Sequence, residues 1–253
     1  MLAILSPAKS LDYKSELPVE ASSAPRFAQE TERLVSAASN LTKKKLQAVM
    51  PVSDRLIDLN YARYRDFWDQ PERPAIYAFA GDVYTGFEAR SLEEEAIRFA
   101  QDHVRILSGL YGLLRPLDRI RPYRLEMGTK WAPRYKKLTD FWGKKIAALL
   151  AEDLEQDGSG VIVNLASKEY WAAIEGSPRI AKAARVIAID FREDGPDGLR
   201  FNSFEAKRAR GMMARYVCEH RLQDPEHLKR FDSDGYRYLA EDSDENRWRF
   251  ARD

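Results

Sequence analysis

One cysteine, Cys218, stands alone in 253 residues, so no internal disulfide can form. With the three histidines His103, His220 and His227 it offers too few soft ligands, at unsuitable spacing, for a zinc site. No apolar run approaches the ~18 residues that a membrane helix requires. The start, MLAILSPAKS, has a short apolar stretch with no basic residue ahead of it, which predicts a first strand rather than a signal peptide. A cytoplasmic chain with no membrane partner is expected. There is no G-x-x-x-x-G-K-[ST], no G-x-G-x-x-G and no H-E-x-x-H, and SGLYG departs from the G-x-S-x-G elbow because its serine precedes the first glycine. Conventional kinase, dehydrogenase and hydrolase readings fall away, and neither a cofactor nor a metal is predicted.

Hydrophobic residues at 44% and charged residues at 32% describe a globular chain able to bury a core. The net charge of +1 hides an asymmetry. Residues 105–145 hold eleven Lys/Arg against three Asp/Glu, whereas residues 219–253 hold seven against ten. A clustered basic stretch can build the local potential that attracts phosphate, although it can equally be a solvated face.

Apolar spacing predicts strands at LAIL, AIYAF, VRILS and GVIVN, and helices over residues 24–40, 91–103, 141–154, 168–174 and 206–222. Ser91 is the expected N-cap of the second of these, with Glu94 completing a capping box. LTKKKLQAVM, capped by Thr42, and DRLIDLNYARYRDFW, capped by Ser53, predict two helices joined by a tight turn over residues 41–60. ARVIAIDFRE and GLRFNSF predict a hairpin around DGPDG. The charged stretch after residue 242 receives no element. One α+β domain over residues 1–253, with a helical hairpin inserted or flanking, is the simplest account.

Chemistry concentrates where apolar strands give way to SPAK, GDVYTG, SGLYGLLRP and NLASKEY. Adjacent strands would bring these ends to one crevice, as open sheets commonly do, though Gly, Ser, Pro and Asn also punctuate ordinary turns. LRPLDRIRPYRLEMGTK is the hardest of these stretches to read as packing. Pro116 and Pro122 stiffen a loop carrying Arg115, Arg121 and Arg124, whose guanidiniums suit bidentate phosphate contacts. Tyr111 and Tyr123 are candidates for stacking on a base, and Glu126 for a base or an arginine's partner.

SPAKSLDY, VYTGF, RILSGLYGLLRPLDRIRPYRLEMGTK, FWGKKI, VNLASKEY and ARGMMARY, in this order, resemble the YaaA peroxide-stress protein family. The resemblance implies a bacterial cytoplasmic protein that binds and protects DNA during peroxide stress and is linked to low free iron. It also implies a compact α+β fold of the family's own type, with a central mixed β-sheet, surrounding helices, a helix-hairpin-helix element and a basic cleft. The helix pair of residues 41–60 is the counterpart of that element here, with no glycine in its turn. On this reading Lys9, Lys43, Lys44, Lys45, Arg115, Arg121, Arg124, Asn164, Lys207 and Arg210 are the DNA- or anion-binding candidates. Tyr84, Tyr111 and Tyr123 are the stacking candidates. DNA is the expected partner, mainly through phosphate contacts, with a nucleotide or base as a further ligand of the cleft. The alternative is an enzyme acting on a nucleobase or nucleotide, at an N-glycosidic bond or by related chemistry, with Glu126 and Glu169 as its carboxylates. Direct iron chelation is disfavoured by the ligand count.

Overall fold

The four residues of LAIL carry no polar side chain, and they form β1 (Leu2–Leu5), a strand buried on both faces near the middle of the sheet. The computed structural model describes residues 1–18, 21–196 and 198–253. After β1 come α1 (Ala28–Ser39), α2 (Lys43–Val49), α3 (Asp54–Arg65), β2 (Arg73–Pro74), α4 (Ala75–Ala78), α5 (Asp82–Phe87) and α6 (Glu94–His103). The middle of the chain forms β3 (Val104–Ser108), β4 (Gly112–Leu114), β5 (Arg119–Ile120), α7 (Leu138–Trp142), α8 (Lys145–Asp157) and β6 (Val161–Asn164). It closes with α9 (Lys168–Trp171), α10 (Pro178–Ala183), β7 (Arg185–Glu193), α11 (Ser203–Glu219), β8 (Arg237–Tyr238) and β9 (Arg247–Arg252).

The central sheet runs β4-β3-β1-β6-β7-β9-β8. β3, β1, β6, β7 and β9 are parallel, while β4 and β8 are antiparallel to their neighbours, so the sheet is mixed. Ala3 pairs with Val104 on one side and Val163 on the other. Helices surround this sheet in a single compact α/β domain with one large core. A second, small cluster of Ala38, Leu46, Met50, Ile57 and Tyr64 holds α1, α2 and α3 together. Thr42 caps α2 by accepting the Lys45 N–H at 3.3 Å, whereas Ser53 begins α3 without a side-chain cap bond.

Five expectations change. AIYAF is not a strand: its first four residues are helical and wholly buried, and the Ala75 and Ile76 N–H groups donate to the Asp118 and Pro116 carbonyls. A short all-apolar run has no periodicity to separate helix from strand. Ser91 does not cap α6, because its hydroxyl donates to the Glu88 carbonyl one turn earlier; Glu93 occupies the cap position. The helix predicted from residue 141 is split by Gly143, at φ 50°, into α7 and α8. The expected hairpin is reduced to a single antiparallel bridge between Glu193 and Arg200, with Asn202 donating to the Glu193 carboxylate and Arg192 over the Phe201 ring; the turn DGPDG includes residue 197, which lies outside the described residues. The charged stretch after residue 242 supplies β9, the parallel partner of β7, with Trp248 and Phe250 inward and Arg249 and Arg252 paired to Asp190 and Glu193.

Two glycines bring α5 and α11 into backbone contact. A Cβ on Gly211 would overlap the Val83 carbonyl oxygen, and one on Gly86 would overlap that of Arg208. These are the glycines of ARGMMARY and VYTGF, so the two motifs together encode a helix crossing, and VYTGF is helical where a strand-exit turn was expected. Gly211→Ala is expected to destabilise the protein by about 3 kcal/mol, the upper part of the overpacking range, measured by urea unfolding. A loss of under ~0.5 kcal/mol would show that the helices separate freely.

Acidic groups tie the remaining elements together. Asp153 accepts from Arg26 at 2.5 and 2.9 Å and from Arg105 at 2.5 Å, almost wholly buried. Burial pushes its carboxyl up, but the Arg26 hydrogen bond and the Arg105 charge outweigh it and hold the group below its ordinary value of 3.8. Asp157 is likewise lowered: His103, Ser159 and the Met1 amino group overcome the effect of burial. Asp12 is lowered by hydrogen bonds from Ser15 and Lys14. Groups depressed on folding contribute fully above the unfolded value, and the contribution drains away as pH falls through the folded value. Stability is therefore expected to decline steadily below about pH 4. Asp153→Asn should cost about 3–5 kcal/mol at neutral pH, because two cations lose their partner, and the gap to the parent should narrow in acid. A pH-independent gap would refute this assignment.

Candidate functional site

β1 and β6 are adjacent and parallel, and the chain leaves both at the same edge of the sheet, as Ser6 to Ser10 from β1 and Leu165 to Tyr170 from β6. Ligands of open α/β sheets commonly bind at such carboxyl ends. Ser6 joins the two exits: its hydroxyl accepts the Ser167 N–H at 2.9 Å and donates to the Ser167 hydroxyl at 3.3 Å. A cavity of about 420 Å³ opens above them. Its far wall is the α5–α11 pair, with Asp82 opposite Lys207 at 3.5 Å and Arg210 beside them. Arg210 has no ion pair among the described residues, and its Nε is enclosed without a hydrogen-bond partner. Burial pushes its pKa below the ordinary value, with Asp190 opposing from beyond ion-pair distance.

A second cavity, about 570 Å³, adjoins the first and shares Lys9 and Glu169 with it. One wall is the α2–α3 turn, from Ala48 to Val52, and the other is the loop carrying Arg124, Glu126 and Lys130. Arg124 Nε lies 3.0 Å from Glu126 Oε1, and Lys9 Nζ 3.7 Å from the same oxygen. Glu169 Oε1 accepts the Gly128 N–H at 3.1 Å. Tyr64 of α3 donates to the Arg124 carbonyl at 2.8 Å, fixing the loop to the helix pair. Together the cavities carry Lys9, Arg124, Lys130, Lys207 and Arg210 against Asp82, Glu126 and Glu169, so the cleft is basic but mixed.

The loop arginines do not form one wall. Arg115 is bound by Asp118 at 3.0 Å and donates to the Ala24 carbonyl, Arg121 is paired with Glu72 and lies over Trp68, and only Arg124 reaches the cleft. Arg115 and Arg121 are thus structural clasps. Tyr84, Tyr111 and Tyr123 are only 7%, 4% and 5% exposed and offer no face to a base. Their hydroxyls serve the fold, at the Ser6 carbonyl, the Arg121 N–H and the Ser108 hydroxyl. Asn164 turns its side chain onto the Ala166 N–H and lines neither cavity. Lys43, Lys44 and Lys45 are exposed on α2, Lys43 being paired with Asp58.

Sequence reasoning brought SPAK, GDVYTG and NLASKEY to one crevice but did not single out Ser6, Asp82, Ser167 and Tyr170, because each matters through its position at a strand exit or helix start. Tyr170 stays a neutral phenol: burial, then the charges of Glu169 and Glu126, push it up. The reasoning also missed the aromatic rings that are exposed, including Trp68, Phe201 and Phe204. Phe201 and Phe204 flank Asn202, the N-cap of α11, and a hydrophobic residue beside a strong cap was the available signal. Among the described residues no group of three or more His, Cys, Asp or Glu is placed to hold a metal ion. No helix of the described residues is long and apolar enough to cross a membrane.

Sheet and cleft together define an α/β protein with an ion-rich cleft at the carboxyl ends of parallel strands. Residues 1–242 match the family described as Peroxide stress protein YaaA, and the chain belongs to that family. It is 63% identical over 253 residues to a UPF0246 protein of Rhizorhabdus wittichii, covering 100% of this chain and 99% of the relative. UPF0246 proteins of Ralstonia pickettii and Polynucleobacter asymbioticus are 46% and 49% identical, over 100% and 96% of this chain and 99% and 95% of their own lengths.

Membership of a peroxide-stress family raises the question of thiol chemistry. Cys218 is fully buried in α11, and burial, then Glu219, pushes its thiol up. Peroxide reacts with exposed thiolates, so Cys218 is a core residue and not a sensor. A thiol-reactive dye is expected to label the native protein at least ~100-fold more slowly than the urea-unfolded chain. Comparable rates would overturn this.

Proposed function

We propose that this chain is a DNA-binding protein of the peroxide stress response that protects DNA, gripping duplex phosphates along the groove between the α2–α3 turn and the loop of residues 124–130. The observation that carries this reading is that the turn and the basic residues Lys9, Arg124 and Lys130 line the same cavity. α3 starts at Asp54, just past that turn, and Lys44 and Lys45 add exposed positive charge on α2. In this role the helix pair acts as a helix-hairpin-helix element. Protection follows from occupying the phosphate backbone. The link to iron is indirect, reached through the response and not through a chelating site.

An enzyme acting on a nucleobase or nucleotide is the second reading. It is favoured by one observation: Glu169, fixed by the Gly128 N–H, borders both cavities and could act on a base extruded from the groove. Release of free base from damaged duplex would distinguish it from binding alone.

Binding to duplexes of equal length but different sequence is expected to agree within a few-fold and to weaken steeply with salt. The combined Lys43→Ala, Lys44→Ala and Lys45→Ala variant should lose at least ~10-fold in affinity, with stability changed by less than ~0.5 kcal/mol per site. Arg124→Ala should also lose ~10-fold. Salt-independent affinity, or unchanged binding in both variants, would sink the groove assignment.

A further inference from the structure

The cavity above β1 and β6 holds more chemistry than a duplex groove needs. Arg210 stands in its wall with an enclosed, unpartnered Nε and no acidic partner among the described residues, while Arg115, Arg121 and Arg124 each have one. A partly desolvated guanidinium without a counter-ion is costly to keep, and it becomes favourable when an anion completes it. Lys207, three residues earlier on the same helix, adds a second cation whose link to Asp82, at 3.5 Å, is exposed and weak. Glu169 and the Ser6 and Ser167 hydroxyls supply acceptors for O–H and N–H groups. Pro7, Val83 and Leu165 line the space between with apolar surface. At about 420 Å³ the cavity falls in the ~300–1,000 Å³ range of small-molecule sites and exceeds what a lone phosphate fills.

We infer that this cavity binds a nucleoside phosphate, with the phosphate on Arg210 and Lys207 and the sugar or base donors on Glu169. The choice of a nucleoside over another anionic small molecule rests on the nucleic-acid reading above; the phosphate end rests on Arg210. The nucleotide is either free or part of a single strand, and the chemistry of recognition is shared.

Calorimetric titration with adenosine 5′-monophosphate, adenosine, inorganic phosphate and a 5′-phosphorylated deoxyadenylate trinucleotide tests it. The monophosphate or the trinucleotide should bind at least ~10-fold tighter than adenosine and than inorganic phosphate. Arg210→Met should reduce that affinity at least ~10-fold while leaving the melting temperature unchanged or raised, because an apolar chain of similar length replaces a desolvated, unpaired charge. A structural arginine would instead lower it. Lys207→Ala, on the exposed part of the wall, should weaken binding ~3-fold or more and gives an answer even if the Arg210 variant fails to fold. Tighter binding of the trinucleotide assigns the source to a strand, and binding of the monophosphate alone assigns it to a free nucleotide. No binding of either at millimolar concentration, or equal affinity in wild type and both variants, overturns the proposal. If duplex binds and neither small probe does, the cavity assignment falls and the groove stands; if the monophosphate binds and duplex does not, the reverse holds.

Discussion

The backbone contact between α5 and α11 is the constraint on which the cleft depends. Gly86 and Gly211 let each helix lie against the other's carbonyl oxygens, a distance no side chain permits. Residues within about a turn of these glycines then face the strand exits: Gly81 and Asp82 at the start of α5, Lys207 and the adjacent Arg210 on α11. Were the helices spaced by ordinary side chains, at 8–10 Å between axes, this wall would retreat and Arg210 would be hydrated. The width of the cavity and the unpaired state of its arginine thus share one cause.

Charge in this molecule is mostly spent on architecture. The loop of residues 115–126 looks like an anion-binding arm when its arginines are counted, yet Asp118, Glu72 and Glu126 each claim one of them. Asp118 is fully buried and also accepts the Ser23 hydroxyl and the Arg115 N–H, so this is a sewn loop from which Arg124 alone reaches the cleft. The same holds at β9, where Arg252 reaches Glu193, Glu205 and Asp234. Local charge balance along the sequence marks where counter-ions are needed; it does not tell which arginines remain free.

The parallel strands β1, β3 and β6, the helix pair α2–α3 and the place of the cleft at the strand exits were legible, because they follow from apolar runs, caps and the abrupt change to polar residues. β9 was not, although RWRFAR alternates in period two, because Glu241, Asp242, Asp244 and Glu245 before it and Asp253 after it suggest a solvated tail until Asp190 and Glu193 appear across the sheet. The stacking tyrosines were misread for a related reason. Tyrosine beside glycine suits a binding loop and a buried hydroxyl-to-backbone bond equally, and only burial separates the two. Arg210 was among the residues named by motif and lines the cavity, but its lack of an ion-pair partner among the described residues depends on the packing around it and not on its neighbours in sequence.

The pairing of β1 has a consequence for how the chain reaches this structure. Its two neighbours, β3 and β6, come from the middle of the sequence, so the strand that leads in order completes its ladder only after distant segments have arrived. Such non-local pairing raises contact order and slows the search, because loops must close before their contacts stabilise them. During synthesis β1 can gain its first partner only once residues 104–108 are made, and its second only after residue 164, beyond half the polypeptide. That interval is when the exposed apolar strand edge can pair with other chains instead of with its own partners.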